Sequence, residues 1–114
     1  MKPWEEISKI NLKKEEKYVR LFLKLISQIQ KNKFPIKTGE IKEKDHYIIT
    51  EHRMNSIIIN IIPFELYTLF KKLQKQAFHQ FLGFTILAGK YNDKDVRASC
   101  FGVKCAKLIK SIFR

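Results

Sequence analysis

Basic side chains recur at helical spacing in the first third of the sequence. Five of them are separated by 4, 3, 4 and 7 positions, namely Lys13, Lys17, Arg20, Lys24 and Lys31. Spacings of three, four and seven residues place side chains on one face of an α-helix. Because Lys13 and Lys31 are 18 positions apart, the ridge would be about 27 Å long, comparable to the reach of several phosphates along a nucleic-acid strand. The pattern therefore predicts a surface that binds phosphate groups.

Two further basic clusters and one tyrosine extend this predicted phosphate-binding set. The second predicted helix carries Lys71, Lys72 and Lys75, and the last predicted helix carries Arg97, Lys104, Lys107, Lys110 and Arg114. Tyr91 follows Lys90 in a predicted loop, where an exposed ring could stack on a base of a single strand. Most of these cations are lysines, which bind phosphate as point charges and do not read base edges. The set predicts affinity for a phosphate backbone more than sequence specificity.

The overall charge supports the same interpretation. The chain has 23 basic and 11 acidic side chains, which gives a net charge of +12 and a pI near 9.8. A lysine-rich face is also the ordinary solvent side of an amphipathic helix. That explanation does not account for a twofold excess of basic over acidic residues, so the charge indicates a polyanionic partner.

Length and composition predict one folded domain over residues 1–114. The chain is 45% hydrophobic and 30% charged, which is typical of a globular protein and excludes a disordered chain. At 114 residues it is also too short for a multi-domain enzyme.

A protein partner and a nuclease are the alternatives to simple nucleic-acid binding. A small viral or mobile-element protein that covers an acidic protein surface would need the same positive charge. A metal-dependent nuclease needs an acid at a strand end and an acid-x-Lys triplet on the next strand. Glu40-Ile41-Lys42 supplies the triplet and Asp45 or Glu51 a partner, but their order along the chain is wrong for such a site. The sequence therefore predicts a protein without catalytic residues, resident metal or cofactor, and it does not indicate the oligomeric state.

The histidines and glycines add no catalytic motif. His46 and His52 share a face of a predicted strand, but about 20 Å separates them, too far for one metal ion. The four glycines are scattered and form no phosphate-binding loop, and the sequence contains no HExxH or CxxC motif.

The cysteines and the apolar segments bear on the compartment. Cys100 and Cys105 are five residues apart in a predicted helix, about 140° apart around its axis. Because a bridge would require that helix to unwind, both are predicted to be unpaired core residues, which favours an intracellular protein. The N-terminus has no apolar signal segment, and the longest apolar run, Ile57 to Phe64, is too short to span a bilayer. The expected location is the cytoplasm, without membrane contact.

Changes in hydrophobic period predict the elements that would position these residues. A first helix from residue 11 to about residue 31 is predicted by a stripe at helical spacing: Val19, Phe22, Ile26 and Ile29. Residues 46–50 and 56–62 are rich in β-branched and aromatic side chains, which predicts a β-hairpin. Both faces of the second strand are mostly apolar, so that strand is expected to be central.

The second half of the chain predicts two more helices and one more strand. The helix after Pro63 is expected to bury Leu66, Leu69, Phe70, Leu73 and Ala77, and the last helix Ala98, Phe101, Cys105, Leu108 and Ile112. Residues 84–88 form the third predicted strand and residues 92–95 a turn. The sequence thus predicts an α+β fold of order α-β-β-α-β-α. Its three-stranded mixed sheet, a β-hairpin plus one β-α-β crossover, is packed with three helices.

Overall fold

The computed structural model describes residues 12–33, 37–76 and 84–112. Within these ranges the chain forms three helices and five strands. In chain order they are α1 (Glu15–Gln30), β1 (Gly39–Lys42), β2 (His46–His52), β3 (Ser56–Pro63), α2 (Phe64–Gln76), β4 (Phe84–Tyr91), β5 (Lys94–Cys100) and α3 (Val103–Ile112).

The strands form one mixed sheet in the order β1-β2-β3-β5-β4. β3 and β5 are parallel, and the other neighbouring pairs are antiparallel. The predicted α+β class and its three helices are confirmed, whereas the three-stranded sheet is wrong because β1 and β5 were not predicted. The predicted β-α-β crossover is also wrong, because β5 lies between β3 and β4 and is itself the parallel partner of β3.

β5 exists because a tight turn sends the chain back along β4. Asn92 and Asp93 have φ values of 48° and 65°, and Tyr91 pairs with Lys94 across the two-residue loop. Two successive residues with positive φ form the turn that matches the twist of a β-hairpin, and Asn and Asp tolerate that conformation. Residues 94–100 therefore pair with β4 rather than begin the last helix. That helix starts after Gly102, whose φ of 101° allows the change of direction.

β1 is a short edge strand in a segment for which the sequence predicted no strand. All four of its residues are exposed, and they pair with Tyr47 to Thr50 of β2. A four-residue strand with charged side chains carries little hydrophobic pattern, but short charged strands are well suited to a sheet edge because they discourage pairing with another chain.

The helices cover opposite faces of the sheet. On one face, α1 lies so close that a Cβ at Gly89 would be 3.1 Å from Cγ2 of Ile29. On the other face, the Tyr67 ring of α2 stacks on Tyr47 of β2 with ring centroids 4.0 Å apart. Gly89 pairs with Val96 of β5, so the alternate β5 residues Val96, Ala98 and Cys100 lie on the face that α1 covers. Because Cys105 of α3 is bonded to Cys100, α3 lies on this face too.

The central position predicted for β3 is confirmed, since every residue from Ile57 to Pro63 is buried. The buried stripe of α2 contains Leu66, Phe70 and Leu73, but Leu69 is 41% exposed. Its expected core position is wrong, because α2 contacts the sheet along a narrower stripe than the apolar pattern indicated. Ala77 lies outside the described residues.

The two cysteines form a disulfide, contrary to the expectation of two unpaired core residues. Cys100 ends β5 and Cys105 lies in the first turns of α3, with their Cα atoms 6.0 Å apart. The chain leaves a strand and enters a helix between them, so no helix has to unwind. A disulfide gives no support to the expected reducing compartment. None of the described helices is long and apolar enough to cross a membrane.

Candidate nucleic-acid interface

A buried carboxylate brings the first turns of α1 and α3 together. Glu15 Oε1 accepts hydrogen bonds from the backbone N–H of Leu12 at 2.9 Å and of Val103 at 3.3 Å. The neighbouring Glu16 forms an ion pair of 2.8 Å with Lys104 of α3. Because an N-terminal turn has unpaired N–H donors, a single carboxylate can satisfy donors from both segments. Basic residues from the two ends of the chain thereby become neighbours.

The exposed charged side chains of these two helices are almost all basic, and together they are here called the α1–α3 basic surface. Its members are Lys13, Lys14, Lys17, Arg20, Lys24, Lys31, Lys104, Lys107 and Lys110. Over residues 12–31 and 103–111, the exposed charged side chains are basic except for Glu16. Eight members come from the predicted phosphate-binding set, and Lys14 is an addition. The sequence feature that could have identified Lys14 is its position next to Lys13, near the start of the predicted first helix.

A concave site, here called the basic pocket, lies where the two helices meet. Its volume is about 380 Å³. The lining residues are Leu12, Lys13, Lys14, Glu15, Glu16, Lys17, Arg20 and Lys104. Five basic side chains therefore converge on one concavity, which concentrates positive potential more than a flat surface does.

One member of the surface, Lys17, is engaged by an acid. Its Nζ lies 2.5 Å from Asp45 Oδ2, and the other carboxylate oxygen of Asp45 is 2.7 Å from His46 Nδ1. The Lys17 hydrogen bond, followed by that of His46, holds the pKa of Asp45 well below its usual range. Lys14 approaches the same carboxylate at 3.6 Å. Part of the positive charge predicted for ligand binding is therefore used to attach α1 to the loop before β2.

Replacing Asp45 with asparagine is expected to lower the free energy of unfolding by about 1–2 kcal/mol near neutral pH. Because the folded-state pKa of Asp45 is depressed, its stabilisation is complete above the unfolded value of about 4 and is lost as pH falls through the folded value. The difference between wild type and Asp45→Asn should therefore be largest above about pH 5 and shrink at lower pH. Denaturant unfolding at a series of pH values measures it. A difference that is constant with pH would contradict the ion pair.

The basic cluster of α2 lies on the opposite side of the sheet. Lys71 pairs with Glu40 of β1, which also accepts a hydrogen bond of 2.7 Å from the Tyr67 hydroxyl. These two donors lower the pKa of Glu40, and the bond to Glu40 raises the pKa of Tyr67 to about 12. Lys72 and Lys75 are exposed on the same helix. The sheet separates all three lysines from the α1–α3 basic surface.

The remaining predicted residues that the structure describes do not line the basic pocket. Arg97 is half-buried on β5 rather than in α3, and its register with Ile58 and Leu87 places it on the face covered by α2. Tyr91 is exposed at the β4–β5 turn. Its pairing with Lys94 places it on the face of the sheet that α1 covers, two residues from Gly89, which packs against Ile29 near the C-terminal end of α1. It therefore lies beside the far end of α1 and remote from Val103 and the start of α3. Arg114 lies outside the described residues.

The carboxylates considered for a nuclease do not converge. Glu40 faces α2, Asp45 contacts α1, and Glu51 pairs with Arg53 at 3.3 Å. In the described part of the chain, no three His, Cys, Asp or Glu side chains lie close enough to hold a metal ion together. Each acid is instead held by a different basic neighbour.

The comparisons with known proteins identify no relative. No family model, no curated protein and no solved structure matches this chain.

Proposed function

We propose that this chain is a non-catalytic nucleic-acid-binding protein that holds the phosphate backbone on the α1–α3 basic surface. The observation that supports this proposal is that two helices in contact carry nine basic side chains and one exposed acid, Glu16, and that five of the nine line one pocket. Helices from opposite ends of the chain contribute them, so the charge is assembled by folding.

Single strands are the preferred ligand in this proposal. The two helices are not a recognition pair joined by a tight turn, which is the arrangement that inserts a helix into a duplex groove. Eight of the nine cations are lysines, which lack the bidentate fork that reads guanine. Binding is therefore expected to depend on the phosphate backbone and only weakly on base sequence.

Salt titration tests the proposal. If about five cations neutralise phosphates of a single strand, log K should fall against log salt with a slope near −3.5. A fourfold increase in salt should then weaken binding by about 100-fold. Fluorescence anisotropy of one labelled single strand at several salt concentrations measures this dependence.

Two comparisons complete the titration. Strands of equal length and scrambled sequence should bind within a few-fold of each other, and a duplex should bind no more tightly than the single strand. A flat salt response, or no binding at low salt, would overturn the proposal. If an acidic protein displaced the strand and bound more tightly, the same surface would be assigned to a protein partner.

A further inference from the structure

The lining of the basic pocket restricts what it can bind. Five of its eight lining side chains are basic, two are acidic, and Leu12 is the one apolar member. None of the eight is aromatic, so the pocket offers no surface on which a base could stack. Its chemistry fits a phosphate group.

We propose that the basic pocket binds a terminal phosphate of a nucleic-acid strand. This inference rests on the proposed function and adds the strand end as its specific ligand. A phosphomonoester carries a charge near −2 at neutral pH, whereas a backbone diester carries −1. Because Coulomb attraction scales with ligand charge, basic side chains that line one concavity favour the dianion. Diesters spread along a strand would instead contact the part of the α1–α3 basic surface that lies outside the pocket.

An adjoining concavity can accommodate the nucleotide that carries this phosphate. It has a volume of about 240 Å³ and shares Lys13 and Lys14 with the basic pocket. Its other lining residues are Tyr18, Lys44, Asp45, Phe64 and Glu65. Of its two aromatic rings Tyr18 is buried, whereas Phe64 at the start of α2 is 38% exposed. The Phe64 ring beside a phosphate site provides a stacking surface for the first base.

Glu16 is the acid that competes with the ligand. Its carboxylate lies in the basic pocket, 2.8 Å from Lys104 Nζ. The hydrogen bond from Lys104 lowers the pKa of Glu16, so this carboxylate is ionised at neutral pH. A bound phosphate must share Lys104 with it and lie near its negative charge. Removing the charge of Glu16 should therefore strengthen binding of a terminal phosphate.

The test compares strands that differ in one phosphate. A labelled oligothymidylate with a terminal phosphate, at either end, should bind the full chain about five- to tenfold more tightly than the same strand without one. Glu16→Gln should increase this ratio by about threefold. Asp93→Asn, which removes an acid at the β4–β5 turn, is the matched control and should leave the ratio unchanged.

A second pair of variants separates the pocket from the rest of the surface. Arg20→Gln should remove the preference for the phosphorylated strand, because Arg20 lines the pocket. Lys107 does not line the pocket, so Lys107→Gln should weaken the binding of both strands equally and leave the ratio of their affinities unchanged.

The outcomes distinguish this inference from the proposed function. Equal affinities for phosphorylated and unphosphorylated strands would overturn the terminal-phosphate site and leave backbone binding in place. If Arg20→Gln and Lys107→Gln lost the preference for the phosphorylated strand equally, the terminal-phosphate site would not lie in the basic pocket. If inorganic pyrophosphate bound while no strand did, the proposed function would fall and the pocket would be assigned to a free polyphosphate.

Discussion

Replacing Ile59 with aspartate is expected to abolish the folded state. Ile59 is fully buried in the middle of β3, between Thr50 of β2 and Ala98 of β5. The substitution removes an apolar side chain, at a cost of about 2–5 kcal/mol, and buries a carboxylate without a partner at several more. The sum is comparable to the whole stability of a domain, about 5–15 kcal/mol. Circular dichroism and thermal unfolding should show a chain without a cooperative transition.

The same substitution at an exposed strand position is the control. Ile41 lies in β1 and is 49% exposed. Ile41→Asp should melt cooperatively, with a loss of about 1 kcal/mol or less, because aspartate is unfavourable in strands but remains solvated there. A cooperatively folded Ile59→Asp variant would show that β3 does not lie at the centre of the sheet.

Reversing the charge of Arg20, Lys24 and Lys107 together is expected to weaken single-strand binding by at least about 100-fold at moderate salt. All three side chains are exposed on the α1–α3 basic surface. Each glutamate removes one phosphate contact and adds a repulsion, while exposed substitutions cost little stability. Lys17 is left in place because its pairing with Asp45 makes its replacement destabilising as well.

A variant with the same change in net charge controls for long-range attraction. Lys72, Lys75 and Lys90 are exposed. Lys72 and Lys75 lie on α2, and Lys90 pairs with Asp95 on the same face of the sheet as α2, so none of the three lies on the face that α1 and α3 cover. Their reversal to glutamate should weaken binding by only about a few-fold. Equal losses in the two triple variants would mean that net charge, rather than this surface, governs binding. Unchanged affinity in the first variant would remove the surface from the interface.

The elements that sequence patterns predicted are those with strong local signals. Pro63 presets the start of α2, and the β-branched run from Ile57 to Ile62 is buried on both faces in the structure as expected. The separation of basic and apolar faces on α1 also follows from period alone, because a helix turns 100° per residue wherever it packs.

β1 and β5 were missed because their local patterns are weak. β5 contains one β-branched residue, Val96, and β1 has four exposed residues. Their strand conformation comes from hydrogen bonding to neighbours that are already strands, β2 for β1 and β3 with β4 for β5. The Asn92-Asp93 pair was the available signal, since two turn-forming residues between apolar runs are typical of a hairpin.

The sequence by itself determined the amount of charge, its confinement to the solvent sides of the helices and the apolar run of the central strand. These properties depend on composition and on spacings within one element. Only the tertiary structure decided that α1 and α3 share a face while α2 occupies the other, and that Glu15 reaches Val103 across 88 positions of the chain. It likewise decided that Lys17 is paired with Asp45 while Arg20 and Lys104 line one pocket. The physical reason is that the apolar stripe of a helix can pack on any apolar face of a sheet. Which face it covers is selected by the order and register of the strands, and these depend on contacts between elements that are distant in sequence.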